Sequence, residues 1–82
     1  MLATVNEWRD NEGLGVLQAD ELAEGIWVHF SMIEMDGYKT LRVGERVDVD
    51  VEGPLSFSQD GFRFRAIAVR PLHAPPTSQA GG

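Results

Sequence analysis

Residues 46–52 read RVDVDVE, with valine and an acidic residue changing places at every step. A period of two puts Val47, Val49 and Val51 on one face and Asp48 and Asp50 on the other, which is the pattern of a half-buried strand. A helix through the same residues would scatter the valines around its circumference. Such a strand cannot stand alone, since its valines and its ladder groups both need neighbours. The rest of the chain therefore has to supply a sheet.

It does so in short pieces. Residues 2–8 (LATVNEW), 13–18 (GLGVLQ), 25–30 (GIWVHF) and 62–70 are each the length of a strand and carry the same short period. In the second, Gly13 and Gly15 share a face with Leu17, and Leu14 with Val16. In the third, Ile26 and Val28 oppose Trp27 and His29. Glycines inside a strand mark strong curvature or close backbone approach. No helical period runs beyond two turns; Ser31 is expected to cap one short helical turn through Met35, closed by Asp36-Gly37. Gly53-Pro54 ends the valine strand, and residues 56–61 form a polar hairpin loop with Asp60-Gly61 at its turn.

Five short, curved strands with almost no helix predict an all-β fold, a small antiparallel barrel whose closure removes exposed edges. Its inward set is expected to be Val5, Leu17, Ile26, Val28, Ile33, Val47, Val49, Val51 and Ile67. One domain covers residues 1–71. Residues 72–82, with adjacent prolines, small side chains and no charge, read as a disordered tail.

With 82 residues, folding buries only about 60–65% of the unfolded surface, so the core is modest. The absence of cysteine excludes disulfides and thiolate metal sites and suits a reducing compartment. No apolar run approaches the roughly 18 residues of a membrane span and no cationic, apolar leader opens the chain. A cytoplasmic monomer without membrane contact is the expectation. The histidines, His29 in a strand and His73 in the tail, form no triad or metal spacing with other residues, and Gly13-Leu14-Gly15 lacks the third glycine of a dinucleotide fingerprint. The residues therefore point away from catalysis and imply no cofactor.

The net charge is −6, and it is uneven. Residues 1–38 hold Arg9 against Glu7, Asp10, Glu12, Asp20, Glu21, Glu24, Glu34 and Asp36. An acidic half is either a solvated face, a surface that repels phosphate, or one that attracts a basic partner.

The stretches GLGVL, IWVHF, MDGYKTL and GERVDVDVEGP, in that order, resemble the cold-shock domain of bacterial cold-shock proteins and Y-box proteins over about residues 3–70. HFS at 29–31 and DGYKTL at 36–41 are the most specific parts. The resemblance implies a five-stranded OB-type barrel that binds single-stranded RNA and DNA on a face of aromatic rings edged by lysine. Where the family has T-V-K-W-F-N this chain has TVNEWR, so Asn6 replaces a phosphate-facing lysine, Glu7 the surface tryptophan, and Trp8 the neighbouring phenylalanine. Where the family has K-G-F-G-F-I it has EGLGVL, with Glu12 for lysine and Leu14 and Val16 for two stacking rings. The second motif, V-F-V-H-F in the family, survives as IWVHF, and Tyr38 stands where the family has a peripheral aromatic.

The resemblance thus assigns base stacking to Trp27, His29, Phe30 and Tyr38, with Trp8, Leu14 and Val16 assisting. Lys39, Arg63 and Arg65 are the candidate phosphate contacts. Arg70, Phe57 and Phe62 offer further compensation, although the phenylalanines equally suit the barrel interior. Three lost rings at roughly 1–3 kcal/mol each, and two lysines exchanged for Asn6 and Glu12, imply binding orders of magnitude weaker than an ordinary member. The rival expectation is a protein-interaction module that uses an acidic-rimmed apolar face, formed by Glu7, Glu12, Leu14 and Val16, for a basic protein partner.

Overall fold

The computed structural model describes residues 1–56 and 61–72. Residues 57–60 and 73–82, on which most of the expected hairpin loop and tail fall, lie outside the described residues. Five strands follow in order: β1 (Leu2–Arg9), β2 (Leu14–Ala19), β3 (Ile26–His29), β4 (Arg46–Glu52) and β5 (Phe64–Pro71). They close into a barrel in the order β1-β2-β3-β5-β4. Every pairing is antiparallel except β3 with β5, which run parallel where Ile26 meets Phe64 and Trp27 meets Arg65. Among the described residues no helix is long and apolar enough to cross a membrane.

The alternation of the valine strand is realised directly. Val47 and Val49 are buried, Asp48 and Asp50 face outward, and Val51 packs partly against the core at the barrel's end. With them lie Ala3, Val5, Leu17, Ile26, Val28, Ile33, Leu41, Ala66 and Val69, and no polar side chain is buried among the described residues.

Ile67 corrects the expected inward set: it is 50% exposed. The ladder between β4 and β5 slips there, pairing Asp50 with Ala68 but Val51 with Ala66. The extra residue is a bulge, and a bulge shifts every residue beyond it by one place. Ala66 and Val69 therefore share the interior, while Ile67 is turned out.

A second bulge lies in β1. Val5 pairs with Leu17 and Glu7 with Val16, leaving Asn6 unmatched. At that point Val5 exchanges hydrogen bonds with the chain before β4: its N–H reaches the Glu45 carbonyl at 2.9 Å, and its carbonyl accepts from Gly44 N–H at 2.8 Å. The slip sends Glu7 to the outer face and Trp8 toward the core.

The short helical turn spans Phe30–Met32, a 3-10 turn starting one residue before the expected cap. Ser31 lies inside the turn, so its own N–H is one of the end donors needing a partner, and the His29 imidazole supplies it. Ile33 then leaves the turn extended and bridges to Val69, which ends the helix early.

Candidate nucleic-acid interface

Cross-strand register builds the outer face. One row runs through all five strands, from Glu7 to Val16, to Trp27, to Arg65 and on to Glu52. Beside it runs a second, from Arg9 to Leu14 to His29. Residues paired this way lie about 5 Å apart at Cβ, so Leu14, Val16, Trp27 and His29 form one contiguous surface. The pairing of EGLGVL with IWVHF thus brings together the side chains expected at the centre of the site.

The rings on this surface are arranged in sequence. The Trp27 and His29 centroids lie 6.1 Å apart with planes 21° from parallel, and His29 and Phe30 follow at 4.6 Å and 40°. Ser31 fixes the imidazole: its N–H donates to Nδ1 at 3.3 Å, and its Oγ lies 2.8 Å from the same atom. In the neutral imidazole, a nitrogen that accepts from a backbone N–H is the one without a proton, so Nε2 is the ring's donor in that form. Phe30 is 43% exposed and lies across Gly13, whose φ of 67° and missing side chain leave room for the ring.

Between the rows lies a groove of about 430 Å³, lined by Glu7, Arg9, Glu12, Leu14, Gly15, Val16, Trp27 and Phe62. Phe62 reaches it beside Val16, since a side chain built on Gly25 would touch both. It supplies a ring close to those missing from β2. Glu7 and Glu12 lie where the sequence set an acidic rim, whereas Arg9 was not among the residues singled out from the sequence. Arg9 lies on the row of Leu14 and His29, and it donates from Nε to Glu7 at 2.7 Å with Glu12 3.8 Å away. Those carboxylates hold its guanidinium even more firmly protonated than usual, the Glu7 hydrogen bond being the largest cause. The one available signal was alternation past Asn6, and the bulge removes it.

The remaining candidates lie around this centre. Trp8 is opposite Gly15, packs against the core, and donates its indole N–H to Asp10 at 3.1 Å, so it does not share the row of Trp27. The Tyr38 hydroxyl donates to the other oxygen of Asp10 at 2.8 Å, leaving its ring 70% exposed. Asp10 also accepts from Thr40 at 2.7 Å, and these three bonds hold its carboxyl below the ordinary value. Lys39 donates its ammonium to the Ile33 carbonyl at 3.0 Å. Arg63 grips Glu24 through two nitrogens, and its guanidinium carbon lies 5.9 Å from the Phe64 ring centre. Arg65 pairs with Glu52 at 2.8 Å, and Arg70 with Asp48 and Asp50 on the far side of the barrel. The cations expected to meet phosphate are therefore already engaged with groups of the protein itself.

A closed five-stranded barrel whose β2–β3 face carries stacking side chains belongs to the OB class, which binds oligonucleotides on that face. A family model described as the 'Cold-shock' DNA-binding domain matches residues 1–63. The chain belongs to the cold-shock domain family. It is similar to the cold shock-like protein CspD of Escherichia coli K12, 40% identical over 52 residues that make up 62% of this chain and 70% of that protein. It is 39% identical over 46 residues to CspD of Haemophilus influenzae, covering 55% of this chain and 64% of the relative. Over 61 residues it is 34% identical to the cold shock-like protein CspA of Stigmatella aurantiaca, 73% of this chain and 90% of the other.

Proposed function

We propose that this protein binds single-stranded RNA or DNA on the β2–β3 face, weakly for its family. The observation that carries the reading is the near-parallel pair Trp27 and His29, set directly across from Val16 and Leu14. Bases would stack on Trp27, His29 and Phe30, pack against Leu14, Val16 and Phe62, and reach Tyr38 at the periphery. Base stacking is tolerant of sequence, because every base has a flat face.

Weakness has two physical sources. Glu7, Leu14 and Val16 stand on the face where the family carries rings, and each missing ring forgoes roughly 1–3 kcal/mol of stacking. Lys39, Arg63 and Arg65 must also leave protein partners before they can meet phosphate, so few counterions are released per bound strand.

Intrinsic fluorescence tests this with hexanucleotides of RNA and DNA at two salt concentrations. Quenching of tryptophan emission between about 10 µM and 1 mM strand, with only a shallow loss at higher salt, is the expected result. If the emission does not change up to about 1 mM, the face has another occupant, and the acidic rim of Glu7 and Glu12 would favour a basic protein.

A further inference from the structure

The groove is lined by a carboxylate, that of Glu7, where the family has a stacking ring. Glu7 lies in the same cross-strand row as Val16 and Trp27, two strand spacings, or about 10 Å, from the tryptophan backbone. A base stacked on Trp27 with its edge lying over Val16 therefore points that edge at Glu7. The carboxylate is 46% exposed, and Arg9 holds it by Oε2. Among the described residues its Oε1 makes no hydrogen bond. An ionised carboxylate only accepts hydrogen bonds, so its position amounts to a preference for bases that donate.

We propose that Glu7 reads the Watson–Crick edge of a base stacked on Trp27 and makes this face select guanine. Guanine alone presents two adjacent donors there, N1–H and N2–H, at the spacing of the two carboxylate oxygens. Adenine offers one donor beside an acceptor, and uracil and thymine one donor between two carbonyls that repel the carboxylate. Reading a splayed-out base along this edge while its face stacks is the ordinary mode of single-strand recognition. Arg9, bonded to Oε2, directs the carboxylate along the row. The inference rests on the proposed single-strand binding, and turns a sequence-tolerant platform into a selective one.

The test compares three RNA hexamers, all uridine except for guanosine, adenosine or uridine at the third position, against the wild-type protein, Glu7→Leu and Glu12→Gln. Guanosine and adenosine are both purines, so their ratio reports the edge and not the stacking area. Wild type is expected to bind the guanosine strand at least about fivefold more tightly than the adenosine strand. In Glu7→Leu that ratio falls to about one. Glu12→Gln removes the same charge from the rim and tightens all three strands with the ratio unchanged, which separates base reading from repulsion of phosphate. Equal affinity of wild type for the two purine strands, or a ratio that survives Glu7→Leu, overturns the assignment to Glu7 and leaves single-strand binding standing. If no strand binds wild type at all, single-strand binding itself is refuted, and base selection with it.

Discussion

Arg63 and Glu24, 39 residues apart in the chain, hold each other through two nitrogens of one guanidinium and both oxygens of one carboxylate. The pair is solvent-exposed, so it adds little to stability. Its larger effect is on binding, because a guanidinium whose fork is filled cannot fork a phosphate. Glu24→Gln is expected to tighten oligonucleotide binding and to steepen the log–log dependence of affinity on salt by about 0.7. Arg63→Gln in the wild-type background should change neither by much. A salt titration of all three proteins checks this, and an unaltered slope in Glu24→Gln would show that the released arginine does not meet the strand.

The two tryptophans should report different things. Trp27 lies on the outer face among the groove residues, whereas Trp8 packs toward the core with its N–H on Asp10. Trp27→Phe keeps a ring for stacking but should remove most of the strand-induced quenching. Trp8→Phe should keep the quenching nearly whole. Trp27→Ala should weaken binding by the worth of a stacked base, about 1–3 kcal/mol. Quenching that followed Trp8 instead would move the bound strand to the other edge of β1.

Most of the barrel could be read from alternation because it is a local property: the residues of β4 and the outward pair Trp27 and His29 lie as their neighbours dictate. The two bulges could not. Nothing in TVNEWR marks Asn6 as the extra residue, because the slip is imposed where β1 must pair with β2 on one side and with the chain before β4 on the other. One inserted position sends Glu7 into the groove and Trp8 out of it. The ion pairs of Arg63 and Arg65 were hidden for a related reason, since Glu24 and Glu52 come near only when the barrel closes. The residues with the right chemistry were visible, but which of them were already engaged was not.

The bulge in β5 makes a direct contrast between neighbours. Val69 is fully buried and Ile67, two residues before it, is 50% exposed, although simple alternation from Val69 would place Ile67 inside. Val69→Ala is expected to cost about 1–3 kcal/mol in urea unfolding, through lost contacts and the space left behind. Ile67→Thr should stay within about 0.5 kcal/mol of wild type, as surface changes do. A large loss from Ile67→Thr would mean the ladder runs without its slip.

Asp10 ties the β1–β2 turn to the segment before β4 by accepting from Thr40, Trp8 and Tyr38. Those bonds favour the ionised form and lower its pKa. A depressed carboxyl contributes stability above its unfolded pKa, near 3.9, and loses it as the pH falls toward the folded value. The melting temperature of Asp10→Ala should therefore lie below wild type by a constant amount above about pH 5, with the gap narrowing at about pH 4 and below. A gap that widened in acid would reverse the sign, and would mean that the protonated form makes the better contacts.

Gly15 sits between the two rows, opposite Trp8 on one strand and Val28 on the other. A Cβ there would press on the Glu7 carbonyl and lie 2.6 Å from Cε3 of Trp8. A backbone oxygen cannot swing aside as a side-chain tip can, so β1 and β2 would have to part. Gly15→Ala is expected to destabilise the fold by about 1–3 kcal/mol, the usual cost of overpacking, and to lower the urea midpoint with an unchanged slope. Parting these strands also pulls Glu7 away from Val16, so any guanine preference should weaken in the protein that remains folded. An unchanged midpoint would show that the strands approach less closely here than their register requires.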